Sequence, residues 1–188
     1  MAGLALLLFF SLTGREVFGE TTMKNNVSYN SVTELNYRDA DHKLVYGDED
    51  PALQFGLLWI PTDLAVDSRA PLVIFVHGGC WLNAYDIEHS HALSSTLAEA
   101  GYAVWSLEYR RTGDSGGGWP GTFSDIMQGV TFTSRLTDYP VDLTQTVILG
   151  HSAGGHLGLL ASSGNQDIKA VIGLAAITDI VAYSRGTN

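Results

Sequence analysis

The sequence predicts an α/β fold, a three-layer α/β/α sandwich built around a mostly parallel β-sheet. Short apolar runs alternate with helical segments of roughly a dozen residues, the spacing typical of parallel strands joined by crossover helices. The chain has 188 residues, of which 45% are hydrophobic and 16% charged. This composition favours one folded domain, expected over residues 31–188, and excludes intrinsic disorder, which combines low hydrophobicity with high charge.

Six segments are predicted to be strands because they are short and rich in β-branched or aromatic residues: residues 32–37, 53–60, 72–76, 102–107, 146–150 and 170–175. The first two precede any helix and are expected to form an antiparallel lead-in. Residues 72–76 and 102–107 are continuous apolar runs, which are typical of parallel strands covered on both faces.

Three helices are predicted between the later strands, over residues 89–100, 123–136 and 153–163. Apolar residues recur with helical spacing in the first of them until Gly101, which is a stop signal. Ser124 is predicted to cap the second helix. The Gly-rich residues 112–121 between the first two helices are expected to form a surface loop.

The N-terminal residues 1–22 stand apart from this pattern. Residues 3–12 form an apolar run, about half as long as a membrane-spanning helix, that suits the core of a signal peptide. No Lys or Arg precedes the run, so a signal peptide, an unstructured lead, a buried segment and a start at Met23 all stay open. Localisation is undecided between export and the cytoplasm. No other stretch of the sequence is apolar enough for a membrane span.

Charge and cysteine content narrow the classes of partner. The chain carries 20 acidic and 10 basic residues, and its largest basic cluster is the pair Arg110–Arg111, so no basic patch for nucleic acid is expected. One cysteine, Cys80, excludes a disulfide framework and a cysteine-based zinc site. His89 and His91 point to different sides of the predicted helix. We therefore expect neither a metal nor a cofactor.

The segment Gly150–Gly155 carries the strongest chemical motif. It follows a predicted strand, opens a predicted helix and matches G-x-S-x-G, the sharp turn that exposes a nucleophilic serine. Gly150 and Gly154 are expected to clear space on either side of Ser152. The helix dipole favours negative charge near its first turn. Ser152 is therefore the candidate nucleophile.

A second motif, His77-Gly78-Gly79, ends another predicted strand. Glycines in such a loop let backbone N–H groups approach an oxyanion closely. We expect Gly78 and Gly79 to supply two of these donors and Ala153 the third. The ring of His77 is expected to order the loop rather than to transfer protons, and His151 is expected to pack.

These motifs resemble those of the α/β-hydrolase superfamily, in its esterase/lipase branch near hormone-sensitive-lipase-like and arylformamidase-like enzymes. The resemblance spans residues 31–188 and rests on four motifs: residues 77–81, residues 108–110, Trp119-Pro120 with Asp125, and residues 150–155. It implies hydrolysis of a small-molecule carboxylic ester through an acyl-enzyme on Ser152. An arylformamidase or peptidase acting on an amide, and a non-catalytic remnant, are the alternatives.

Several neighbouring residues have two interpretations. Trp81 and Tyr85 are candidates for the wall of an acyl or aryl pocket, with plain packing as the alternative. Cys80 is expected to be a small buried residue beside the loop. Arg110 is expected to form a structural ion pair.

The resemblance also implies a triad acid and histidine after the nucleophile. After Ser152 the chain contains one histidine, His156, and two acids, Asp167 and Asp179. His156 lies one helical turn from the serine, and Asp179 is interpreted as a turn or cap residue. The sequence is therefore expected to be the N-terminal portion of a hydrolase, nearly inactive alone. Its last strand is expected to be an exposed edge that favours self-association.

Overall fold

The computed structural model describes residues 37–186. Six strands form one sheet with the order β1-β2-β4-β3-β5-β6. The strands are β1 (His42–Val45), β2 (Phe55–Trp59), β3 (Ala70–Val76), β4 (Ala103–Leu107), β5 (Val141–His151) and β6 (Ile168–Leu174). The helices are α1 (His91–Glu99), α2 (Gly121–Thr131), α3 (Ala153–Ser162) and α4 (Ile180–Ser184), with short 3₁₀ segments at Ile87–Ser90 and Phe132–Asp138.

The sheet is mostly parallel. The four strands β3 to β6 run parallel to one another, and β1 and β2 add an antiparallel lead-in at one side. The predicted fold class is therefore confirmed. The parallel arrangement places the carboxyl ends of β3, β4 and β5 at the same edge of the sheet, where ligands bind in open α/β folds.

Side chains of β3 alternate between two apolar layers. Leu72, Ile74 and Val76 belong to a core shared with residues of α2 and α3, whereas Val73 and Phe75 belong to a second core shared with α1. Successive side chains of a strand point to opposite faces, so helices cover both faces of the sheet. This is the three-layer sandwich.

The lead-in differs from the prediction. Residues 32–36 of the first predicted strand lie outside the described residues, and Tyr37 is not in a strand. The strand on the outer side of β2 is β1 (His42–Val45), which is short and mostly exposed. A partly polar edge strand of this length has no continuous apolar run, which is why the sequence pattern missed it.

The start of α2 is a second correction. The helix begins at Gly121, so Ser124 lies inside it and does not cap it. Thr122 explains the earlier start, because its hydroxyl accepts a hydrogen bond from the Gly118 N–H and donates one to the Arg110 carbonyl.

Asp179 caps α4, as the turn or cap interpretation predicted. Its carboxylate accepts hydrogen bonds from the backbone N–H groups of Val181 and Ala182, each at 2.9 Å. Helix α4 has five residues, too few for a periodic pattern to reveal. Among residues 37–186, β6 pairs only with β5, and no helix is long and apolar enough to cross a membrane.

Candidate active site

Ser152 lies in the turn between β5 and α3, with φ 52° and ψ −117°. This backbone region is nearly closed to residues that carry a side chain, and occupying it costs about 1–3 kcal/mol. The surroundings hold it in place: the Ser152 N–H donates to the Leu174 carbonyl, and the Ser152 carbonyl accepts from Gly155 N–H at 3.0 Å. The geometry is that of a strained strand-to-helix elbow.

Glycine is required on both sides of this elbow. A Cβ on Gly150 would lie 2.5 Å from the Gly154 carbonyl oxygen. A Cβ on Gly154 would lie 2.2 Å from the Val76 carbonyl oxygen and 2.3 Å from that of His77. These contacts are with backbone atoms, which cannot rotate away. Gly150 therefore leaves room for the first turn of α3, and Gly154 lets that turn pack directly against the end of β3.

The loop after β3 lies against Ser152. A Cβ on Gly78 would be 3.1 Å from the Ser152 Cβ and 2.9 Å from the His151 carbonyl oxygen. Gly79 has φ +119°, a conformation that favours glycine, and is partly exposed. Ala153 follows the serine as the first residue of α3. The structure thus places Gly78 against the serine, with Gly79 next to Gly78 in the loop and Ala153 next to Ser152 in the chain.

His77 is completely buried directly before this loop. Its Nδ1 lies 2.8 Å from the Gly78 carbonyl oxygen, and its Nε2 lies 3.1 Å from Glu108 Oε1. The ring stacks on Tyr109, whose hydroxyl donates to the His77 carbonyl at 2.8 Å. Burial raises the pKa of Tyr109, with the Glu108 carboxylate as a second cause, so the phenol stays a neutral donor.

Glu108 joins several segments beneath the loop. Its carboxylate accepts from the backbone N–H groups of Ile87 and Tyr109, and it pairs with Arg111 at 3.0 Å. Arg111 also donates to the Tyr85 carbonyl. The sequence resemblance included Glu108 in a motif but indicated no contact with His77.

Arg110 forms the structural ion pair that the sequence predicted. Its guanidinium donates to both carboxylate oxygens of the buried Asp125, at 2.7 and 2.9 Å, and to Glu49 at 2.6 Å. The hydrogen bonds to Asp125 are the main cause of a raised pKa for Arg110. Asp125 also accepts from the Gln54 side-chain amide. This network anchors α2 to the end of β4.

Cys80 is exposed, so the prediction of a small buried residue is wrong. Cys80 and Trp81 have φ of 54° and 58°, and this turn carries the thiol outward. The Cys80 thiol lies 3.2 Å from the Tyr183 hydroxyl, a hydrogen bond that raises the pKa of Tyr183. Trp81 packs edge-on against both Tyr183 and His156. The sequence analysis did not identify Tyr183, which lies on α4 and contacts Cys80 and Trp81.

Tyr85 is exposed and stacks on His89, with 5.7 Å between the ring centroids. It also lies beside the loop, because a Cβ on Gly79 would be 2.5 Å from the Tyr85 Cβ. Tyr85 therefore lies against the Gly79 backbone, whereas Trp81 contacts His156 and Tyr183.

No described side chain hydrogen-bonds the Ser152 hydroxyl. Burial lowers the pKa of both His151 and His156, with His89 a smaller cause for His151. The His156 Nδ1 is buried without a hydrogen-bond partner among residues 37–186. Within the same residues, no group of three or more His, Cys, Asp or Glu side chains could hold a metal ion.

The fold and the serine elbow are those of the α/β-hydrolase esterases and lipases. Residues 59–187 match the BD-FAE family, and the chain belongs to it.

Several named relatives are esterases, and dipeptidyl peptidase 8 is among the other relatives. The chain is 30% identical over 129 residues to the probable carboxylic ester hydrolase LipM of Mycobacterium tuberculosis, an alignment covering 67% of this chain and 29% of LipM. It is 32% identical over 120 residues to esterase LipC of the same organism, covering 63% of this chain and 28% of LipC. The chain thus spans under a third of the length of these relatives.

Solved structures agree on the fold. Esterase B from Lactobacillus rhamnosis, crystallised in an inhibited form, superposes with a TM-score of 0.66 at 24% identity. The match covers 80% of this chain and 54% of esterase B. These resemblances give the chain the α/β-hydrolase fold, which it shares with relatives named as esterases.

Proposed function

We propose that this chain carries the nucleophile and the oxyanion hole of an enzyme that cleaves small-molecule carboxylic esters through an acyl-enzyme on Ser152. The observation that carries the proposal is the strained serine, with φ 52°, against which the Gly78 backbone packs. Backbone strain of this kind persists only where surrounding contacts hold the residue in place, and it occurs mostly at active sites. Ser152 is half-buried, so its hydroxyl can meet a substrate.

In the proposed acylation, Ser152 Oγ attacks the ester carbonyl carbon while a general base takes its proton. The carbonyl electron pair moves onto oxygen, where the N–H groups of Gly78, Gly79 and Ala153 donate to it. Collapse breaks the ester C–O bond, and the leaving oxygen takes the proton to depart as an alcohol. Water then attacks the acyl-enzyme, releasing the acid and regenerating Ser152.

The general base is proposed to be a histidine, as the family resemblance implies, and we assign it to neither His77 nor His156. His77 is engaged with Glu108 and Gly78, and the His156 ring packs against Trp81. The partly buried Trp81 and the exposed Tyr85 are proposed to contact the acyl or aryl part of the substrate. A flat aromatic wall contributes apolar contact area with little loss of side-chain freedom on binding.

The test compares Ser152→Ala with Ser163→Ala, which truncates an exposed serine at the end of α3. Hydrolysis of p-nitrophenyl acetate and butyrate is measured for the product of the full open reading frame. We expect Ser152→Ala to remove turnover and labelling by a p-nitrophenyl phosphonate, and Ser163→Ala to keep both. Hydrolysis retained in Ser152→Ala would refute the nucleophile. Cleavage of an N-formyl arylamine or a peptide instead would favour the arylformamidase or the peptidase.

A further inference from the structure

Both ring nitrogens of the buried His77 face acceptors. Nδ1 lies 2.8 Å from the carbonyl oxygen of Gly78, and Nε2 lies 3.1 Å from Glu108 Oε1. A carbonyl oxygen can only accept a hydrogen bond, and a neutral imidazole has one N–H to donate. Two acceptors are therefore satisfied only when each nitrogen carries a proton, unless Glu108 itself is protonated.

The contacts of Glu108 favour its ionised form. Besides His77, its two oxygens receive the N–H groups of Ile87 and Tyr109 and lie 3.0 Å from the Arg111 guanidinium. Each of these partners is a donor and Arg111 is a cation, so together they stabilise the carboxylate. Arg111 also pairs with Asp114, which leaves one cation for two carboxylates. A protonated His77 ring balances the charge of this cluster.

The bond from Nδ1 acts on the candidate oxyanion hole. The Gly78 carbonyl and the Gly79 N–H belong to one peptide group, and in a planar trans peptide they point in opposite directions. A ring that holds the carbonyl on its own side therefore turns the Gly79 N–H away from itself. Hydrogen bonds in a chain also polarise one another, so a cation on the carbonyl strengthens the N–H as a donor.

We propose that Glu108 keeps His77 doubly protonated, and that this buried ion pair aims and polarises the Gly79 N–H as an oxyanion donor. The catalytic half rests on the proposed function. His77 and Glu108 are positioning residues, because they act through the Gly78–Gly79 peptide. The other titratable groups around the ring are the stacked Tyr109, Arg111 and Asp114 behind Glu108, and His151 against Gly78.

The protonation of the ring is measured directly by NMR on the ¹⁵N-histidine-labelled chain. The His77 signals are assigned by their loss in His77→Asn. At about pH 8, where a free histidine side chain is neutral, we expect both His77 nitrogens to carry protons, because each faces an acceptor. A neutral His77 ring at this pH would overturn the proposal, whether or not any variant folds.

The positioning role is measured with Glu108→Gln in the product of the full open reading frame. Glu49→Gln is the matched control, because it also removes a carboxylate from a buried arginine, Arg110, without touching the loop. A lost oxyanion donor costs about 10²–10³ in kcat. Glu108→Gln would misdirect the Gly79 N–H rather than remove it. For this variant we expect about a tenfold or greater loss of kcat with little change in KM, and one fewer ring proton on His77.

The control is expected to keep both kcat and the His77 signals. Unchanged kcat in a folded Glu108→Gln, or an equal loss in Glu49→Gln, would overturn the positioning role. If the parent protein hydrolyses no ester, the proposed function fails, while the NMR result still decides the charge of His77.

Discussion

Gly78 packs so closely on Ser152 that a Cβ placed on the glycine would lie 3.1 Å from the Cβ of the serine. The loop that ends β3 and the elbow that ends β5 are thereby held in one geometry. Because β3 and β5 are paired and parallel, their carboxyl ends meet without any intervening element. The candidate oxyanion hole is a consequence of this strand order.

Substitution of Gly79 by alanine is expected to lower kcat more than it raises KM. The added Cβ would lie 2.5 Å from the Tyr85 Cβ, and φ of +119° disfavours a side chain, so the N–H must shift. Loss of the Gly79 N–H as an oxyanion donor weakens mainly the binding of the transition state. Gly101→Ala is the control for the backbone cost, since Gly101 has φ +97° and open space around it. Steady-state kinetics that show only a raised KM for Gly79→Ala would contradict the assignment of this donor.

Asp125→Ala is expected to destabilise the fold strongly. Removing one partner of a buried ion pair typically costs about 3–5 kcal/mol, and here Arg110 would lose its bidentate partner while Gln54 would lose an acceptor. Urea denaturation measures the free energy of unfolding. Glu49→Gln is expected to cost about 1 kcal/mol or less, because that carboxylate is 64% exposed. Equal losses in the two variants would show that burial of the pair does not matter.

Acid should weaken the fold through His156. Burial lowers its pKa in the folded chain, so as pH falls below about 6.5 the unfolded chain takes up the proton first. This contribution to stability is complete above that pH and is lost below it. Urea midpoints at about pH 7.5 and 5.5 are expected to differ less in His156→Gln than in the parent chain. Equal differences in His156→Gln and in the parent chain would argue against burial of His156 as the cause.

The described chain is expected to self-associate through β6 and α4. Ile172, Ile180 and Val181 are each about half exposed, and among residues 37–186 the outer edge of β6 has no neighbouring strand. Exposed apolar edges favour pairing with another chain. Light scattering after size exclusion should show oligomers of the parent chain and fewer of Ile172→Lys. Val66→Lys, at a remote residue that is 91% exposed, is the control. A monodisperse parent monomer with a cooperative melt would refute this prediction.

Consecutive residues determined much of the fold and of the elbow. The strand before Gly150, the serine between two required glycines and the small-residue helix after it are encoded locally, because each position needs a particular backbone conformation or clearance. The same holds for the His77–Gly79 loop after an apolar strand. The sequence pattern failed at two places for local reasons. Strand β1 is too short and polar to give a pattern, and the left-handed backbone at Cys80 and Trp81 falls on residues that carry side chains.

Contacts between distant segments were decided by the tertiary structure alone. Glu108 lies 31 residues from His77 and Tyr183 lies 103 residues from Cys80, and no periodicity connects such positions. Strand order brings the first pair together, because β4 lies beside β3 and both end at the same edge of the sheet. The second pair meets because α4 follows β6 and carries the Tyr183 hydroxyl to the Cys80 thiol. The amino-acid sequence therefore determines which backbone turns form, whereas the charge and surroundings of each side chain depend on which turns the sheet places side by side.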